Sequence, residues 1–151
     1  MITRSPEETR ALGVWLAGRL HAGDVIILTG DLGAGKSELA RGIAWGLGIR
    51  GPVPSPTFTI LNVYTEGNVP LYHFDFYRLN SPDEIYEMGM DEYIGGDGIA
   101  LIEWPDLCRE VIPRDHLRVT LERKEDDTRQ IRMEAAGGFR NVGTWREGEQ
   151  A

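Results

Sequence analysis

Val25-Ile26-Ile27-Leu28-Thr29-Gly30-Asp31-Leu32-Gly33-Ala34-Gly35-Lys36-Ser37 is the stretch that decides the fold. Its first four residues are apolar and mostly β-branched, the pattern of a strand buried on both faces. Gly30 to Gly35 then make a glycine-rich turn, and Leu39, Ile43 and Leu47 pace out a helix that stops at Gly48. Set between strand and helix, Gly30 to Ser37 fits G-x-x-x-x-G-K-[ST], the phosphate-binding loop. The chemistry needs these residue types. Glycines let backbone N–H groups turn inward around an anion, and the helix N-terminus adds partial positive charge. Lys36 would bridge the β- and γ-phosphates, and the Ser37 hydroxyl would ligate Mg²⁺. An incidental lysine in a plain strand-to-helix turn is the competing reading, and the flanking strand and helix weigh against it.

Outward from this loop the chain continues in short elements. Ser5-Pro6-Glu7-Glu8 has a capping Ser, Pro in the first turn and Glu three residues after the cap, and it opens a helix with a Leu12, Trp15, Leu16, Leu20 stripe. Gly51 to Pro56 carries three prolines and is a stiff loop. Phe58–Tyr64 and Leu71–Tyr77 read as a hairpin. Ser81-Pro82-Asp83-Glu84 starts a short helix that fades at Gly89. Ile99 to Ile102 is a further buried strand, and Leu117–Leu121 with Gln130–Met133 is a closing hairpin. The expected architecture is α/β: a P-loop NTPase-like three-layer fold with a mixed, largely parallel central sheet. Residues 1–136 are expected to form a single domain, and residues 137–151 a Gly-rich polar tail of poor order.

A phosphate loop needs an acid at the end of a nearby strand to hold the metal shell. Glu103 ends Ile99-Ala100-Leu101-Ile102, and Asp75 ends Leu71-Tyr72-His73-Phe74. Glu103 is favoured as the metal residue, with Asp75 behind it or ordering the attacking water. His73 is read as a hydrogen-bonded structural histidine. No Asn-Lys-x-Asp occurs, so the usual guanine-reading element is missing, and no Arg-rich lid supports a small-molecule kinase.

Composition narrows the partners. The formal net charge is −8, and all of that excess lies between Asp75 and Glu110, where ten acidic residues meet only Arg78 and Arg109. A chain so charged has no overall attraction for a polyphosphate backbone, which argues against binding nucleic acid alone. The acidic block suits a metal ion, a basic protein partner or a solvated surface. One cysteine, Cys108, excludes an internal disulfide and fits a reducing compartment. No apolar run nears the ~20 residues of a membrane span, and the N-terminus does not read as a signal peptide, so a cytoplasmic protein is expected.

Four motifs in order, Gly30 to Lys36, Ser55-Pro56-Thr57-Phe58-Thr59, His73-Phe74-Asp75-Phe76-Tyr77-Arg78-Leu79 and Ile102-Glu103-Trp104-Pro105, resemble the TsaE (YjeE) family over roughly Glu7 to Arg129. The resemblance implies a P-loop ATPase of tRNA threonylcarbamoyladenosine synthesis, with ATP and Mg²⁺ as cofactors. It also implies the partners TsaB and TsaD, which bind and modify the tRNA, so that tRNA is met only through the complex. Hydrolysis would reset that complex, slowly when the subunit is alone and faster when its partners dock. On this resemblance Gly30, Asp31, Leu32, Gly33, Ala34, Gly35, Lys36, Ser37 and Glu38 hold the nucleotide, and Ser37 and Glu103 hold the metal. Lys36, Thr57, Asp75 and Glu103 form the catalytic set, with Thr57 sensing the γ-phosphate. Arg129 lies near the nucleotide and Pro6 near the adenine. The family usually has Thr-Thr after the lysine. Here Ser37 keeps the hydroxyl, but Glu38 brings a carboxylate toward the α-phosphate, with weakened affinity as the expected consequence. A small-molecule kinase and a non-catalytic nucleotide-dependent interaction module are the rival readings.

Overall fold

Ser5 caps the first helix as its sequence suggests. Helix α1 spans Pro6–Ala17, and the Ser5 hydroxyl accepts the Glu8 N–H at 3.1 Å. The Glu8 carboxylate reaches back to the Arg4 N–H at 2.8 Å, closing the chain entry. The structure, a computed structural model, describes residues 1–146, with Leu107 described by its backbone alone.

Seven strands form one sheet: β1 (Ile2–Thr3), β2 (Val25–Thr29), β3 (Leu61–Tyr64), β4 (Leu71–Asp75), β5 (Ile99–Glu103), β6 (His116–Arg123) and β7 (Arg129–Ala136). Their order is β1-β7-β6-β2-β5-β4-β3. The central four, β6-β2-β5-β4, are parallel, and antiparallel strands flank them on both sides. Helix α2 (Lys36–Gly46) leaves the end of β2 through the glycine turn. It closes as the Gly48 N–H bonds the Trp45 carbonyl and the Ile49 N–H that of Ala44, with Gly48 at a φ of 95°. That left-handed residue is what the Gly48 stop signal supplies.

Alternation in the parallel strands divides the core in two. Ile26, Leu28, Leu101 and Val119 face α1 and α2, while Val25, Ile27, Ala100 and Ile102 face the opposite layer. The second layer is thinner. It consists of α3 (Asp83–Glu87) and 3-10 segments at Met90–Tyr93 and Pro105–Val111, with Ile85 and Cys108 packed against Phe74 and Phe76. The expected three layers and mixed, parallel-centred sheet are therefore present. Helices α1 and α2 meet at backbone distance: a Cβ on Gly13 would lie 2.5 Å from the Leu39 carbonyl oxygen, and one on Gly42 would collide with that of Arg10.

Several boundaries differ from the sequence reading. Strand β3 begins at Leu61 rather than Phe58, because Ile60 holds a left-handed φ of 67° that no strand accommodates. Strand β4 ends at Asp75 rather than Tyr77, where the Asp75 carboxylate accepts the Tyr77 N–H at 2.9 Å and turns the chain away. Ser81 bonds the Asp83 N–H at 3.2 Å, but Pro82 occupies the cap position of α3. The two-residue β1 has no counterpart in the sequence reading.

Residues 137–146 form no helix or strand, and Val142 and Trp145 among them are buried in the α1/α2-side core. Arg140 clasps Asp24 through both guanidinium nitrogens, at 3.0 and 2.5 Å, and donates to the Arg19 carbonyl. Apolar burial and a two-point ion pair attach this segment to the rest of the fold. The remainder of that stretch, 147–151, lies outside the described residues.

Candidate functional site

The ends of β2, β4 and β5 lie side by side, so the parallel register delivers their last residues to one edge. Asp75 pairs with Glu103 across β4 and β5, and Glu103 pairs with Leu28 of β2. Asp75, Glu103 and His73 share a strand face by parity with Leu71 and Leu101, the face covered by α2. A cavity of about 290 Å³ opens at this edge, lined by Leu32, Gly33, Gly35 to Glu38, Ser55, Thr57, Asp75, Glu103, Trp104 and Arg129.

The loop itself is shaped by its glycines. Gly30, Gly33 and Gly35 have φ of 151°, 80° and 105°, and a Cβ on Gly30 would lie 2.6 Å from the Leu121 carbonyl oxygen. The Asp31 carbonyl accepts the Ala34 N–H at 3.0 Å, with Ala34 buried beneath the turn and Leu32 projecting into solvent. Gly30, Asp31 and Ala34 thus build the loop without lining the cavity.

Lys36 is buried and donates from Nζ to the Gly30 carbonyl at 2.6 Å, with Nζ 4.0 Å from the centre of the Trp104 ring. Burial pulls its ammonium pKa below the ordinary value, and the nearby Glu103, Asp75 and Asp31 charges act against that shift. Trp104 holds a left-handed backbone (φ 56°, ψ 57°), and its ring also meets that of Tyr77 at 5.1 Å. Such strain in a non-glycine residue marks a position that its surroundings enforce.

The two acids stand in different settings. The Glu103 Oε2 is 2.7 Å from His73 Nε2, both side chains being buried, and His73 Nδ1 has no hydrogen-bond partner. Asp75 accepts the Thr57 hydroxyl at 3.1 Å and the Tyr77 N–H at 2.9 Å, and Ser55 lies 2.7 Å from Thr57. His73 is hydrogen-bonded, as the sequence reading held, but its partner is the favoured metal carboxylate. That contact follows from strand register, which no local pattern discloses.

Arg129 donates from Nη1 to the Asp127 carbonyl at 2.7 Å, and its buried Nε–H has no acceptor. A smaller cavity of about 80 Å³ adjoins it, lined by Arg4, Ser5, Pro6, Thr9, Gly35, Glu38, Asp127 and Arg129. Gly35, Glu38 and Arg129 border both spaces, so Pro6 and the glycine-rich loop open onto neighbouring recesses. Glu38 is not a bare carboxylate. Its oxygens accept Arg10 Nη1 at 2.6 Å and Arg41 Nη1 at 2.8 Å. Burial alone would raise its pKa, but the two guanidinium groups outweigh that and hold it below the ordinary value. Neither Arg10 nor Arg41 figures in the sequence reading: Arg41 sits at helical spacing from Glu38 within α2, while Arg10 meets it only through the packing of α1 on α2.

The family model for the threonylcarbamoyl adenosine biosynthesis protein TsaE matches residues 3–131. The chain belongs to the TsaE family. Among similar TsaE proteins is the tRNA threonylcarbamoyladenosine biosynthesis protein TsaE of Bacillus subtilis (strain 168), 46% identical over 135 residues, covering 89% of this chain and 84% of that one. The TsaE protein of Nostoc sp. is 44% identical over 131 residues, covering 84% and 80%. A crystal structure of Bacillus subtilis YdiB superposes with a TM-score of 0.79 at 42% identity, covering 91% of this chain and 84% of that one. All four motifs read from the sequence fall inside the matched TsaE segment. No helix among the described residues is long and apolar enough to cross a membrane.

Proposed function

We propose that this TsaE family member is a Mg²⁺-dependent ATPase serving tRNA threonylcarbamoyladenosine modification in the cytoplasm. Hydrolysis would reset the TsaB–TsaD pair, which holds the tRNA, between rounds of modification. The observation that carries the reading is convergence: Lys36, Ser37, Thr57, Asp75, Glu103 and Arg129, from separate segments, line one cavity beside a phosphate-type loop.

Each group has a role that its present contacts suit. Lys36 would exchange the Gly30 carbonyl for phosphate oxygens, an anion for which its depressed pKa and burial leave it undercompensated. The Arg129 Nε–H, without an acceptor, would gain one from the nucleotide. Thr57 and Asp75, already hydrogen-bonded, would sense the γ-phosphate and orient the attacking water for in-line displacement. Pro6 would lie against the base in the smaller recess.

The donor set also fits magnesium. Among the described residues no cluster of three or more His, Cys, Asp or Glu could hold a metal ion unaided. Magnesium commonly takes only one or two protein ligands beside substrate phosphates and water, and Ser37 with Glu103 would supply them. When bound, it would neutralise charge developing on the phosphate oxygens.

A P-loop enzyme without a supplied arginine turns over on the order of 10⁻⁴ s⁻¹, and gaining one is worth ~10³–10⁵. Phosphate release, measured with and without TsaB–TsaD, is therefore expected to be slow alone, accelerated by the pair, and abolished in both states by Lys36→Ala. A fast unaided rate would overturn partner gating. Label passing from ATP to a small acceptor instead of free phosphate would make the protein a kinase.

A further inference from the structure

Resting on the nucleotide-binding reading, we propose that Arg10 and Arg41 are nucleotide-positioning residues acting through Glu38. Their grip on both carboxylate oxygens lets a P-loop helix carry an acid in its first turn and still receive a polyphosphate.

Glu38 is in the first turn of α2, the turn whose free N–H groups face an incoming anion. Without ligand, a carboxylate there complements the helix dipole. With a polyphosphate in the loop, the same carboxylate becomes a like charge at the junction of the two recesses, both of which it lines. The structure answers that conflict with two guanidinium groups. Arg10 reaches across from α1 at 2.6 Å, and Arg41 comes from one turn along α2 at 2.8 Å. All three side chains are at least two-thirds buried, so their charges are only partly screened. Glu7 lies 3.4 Å from Arg10 but is 73% exposed and contributes little.

The trio thus presents one net positive charge rather than one negative charge beside the phosphate loop. Its geometry also ties α1, which carries Pro6 and the smaller recess, to the first turn of the phosphate helix. The weakened affinity expected from Glu38 in isolation is offset by one partner from α1, 28 residues away in sequence, and one from the next turn of α2.

The test is charge compensation in ATP binding, measured by titration calorimetry with Mg²⁺ and with melting temperature as a folding control. Arg10→Gln takes the trio from one net positive charge to neutral and should weaken binding about tenfold, the scale of one unit charge near a phosphate at intermediate dielectric. Adding Glu38→Gln to it restores the net charge and should bring affinity back to within about threefold of wild type. Arg41→Gln, alone and with Glu38→Gln, should behave in the same way and serves if Arg10→Gln does not fold. A double variant no tighter than the arginine single variant would mean that the arginine acts by packing, and would overturn the proposal. Wild type that fails to bind Mg-ATP would instead sink the nucleotide reading on which the proposal rests.

Discussion

His73 and Glu103 define the residue scale of this site. A buried carboxylate is retained because something hydrogen-bonds it, and here that group is the His73 Nε2 at 2.7 Å. Glu103 lines the cavity with one oxygen engaged by His73, and on the proposed ATPase reading that contact would orient the carboxylate and tune metal affinity. Removing the ring nitrogen by His73→Leu should raise the Mg²⁺ concentration for half-maximal ATP hydrolysis ~10-fold or more. His73→Gln can place an amide nitrogen where Nε2 stands and should stay within about threefold of wild type. A magnesium titration in which the two variants behave alike would show that His73 only fills space. Lys36, Ser37, Asp75 and Glu103 were legible from sequence because each ends a strand or opens a helix, and the parallel register brings those ends together. The His73–Glu103 contact, the strained Trp104 backbone and the arginine pair on Glu38 were not legible. His73 with Glu103 and Arg10 with Glu38 join residues 28 or more apart, and the Trp104 backbone is set by close packing. Arg41 follows helical spacing from Glu38, and what was hidden is that it shares the carboxylate with Arg10.

At the scale of elements, the readable parts are those with their own periodicity or caps. Helix α1 declares itself through Ser5 and its apolar stripe, and β2 through an unbroken apolar run. Strand β1 has two residues and therefore no period; it exists because β7 offers Gln130 and Arg129 as partners. The contact of α1 with α2 is likewise written in glycines whose purpose only the packed pair reveals. Gly42→Ala tests that contact. Helix propensity favours the alanine by up to ~1 kcal/mol. Against this, the new methyl would collide with the Arg10 carbonyl, a backbone atom that can move only with the whole helix. Overpacking of this kind typically destabilises by ~1–3 kcal/mol, so the net effect should be a loss. A urea midpoint that falls at constant slope would confirm the close approach, while an unchanged or higher midpoint would mean that α1 shifts freely.

On the scale of the whole molecule, the two faces of the sheet are unequally covered, and the stretch after β7 adds to the thicker side. The α1/α2 face is completed by Val142 and Trp145, which the sequence placed in a tail of glycine and polar residues. Their burial was illegible because two apolar residues three apart, without a regular element, give no period from which to read a buried face. The Arg140–Asp24 pair then fixes the point where the chain turns back, joining the start of β2 to the end of the fold. The arginine is partly exposed, so as an ion pair it contributes on the order of 1 kcal/mol or less. Burial of the tryptophan stabilises more, since truncating a core Phe or Trp to alanine typically costs ~3–5 kcal/mol. Trp145→Ala should therefore lower stability well beyond Arg140→Ala, and truncation after Ala136 should lower it at least as far as Trp145→Ala. The site lies at the opposite, C-terminal edge of the central strands. Mg-ATP affinity measured well below the unfolding midpoint should accordingly stay within about threefold of wild type in the Trp145 variant, because distant sites without shared partners act nearly additively. A truncated chain with wild-type urea midpoint would show that the segment rests on the core without stabilising it.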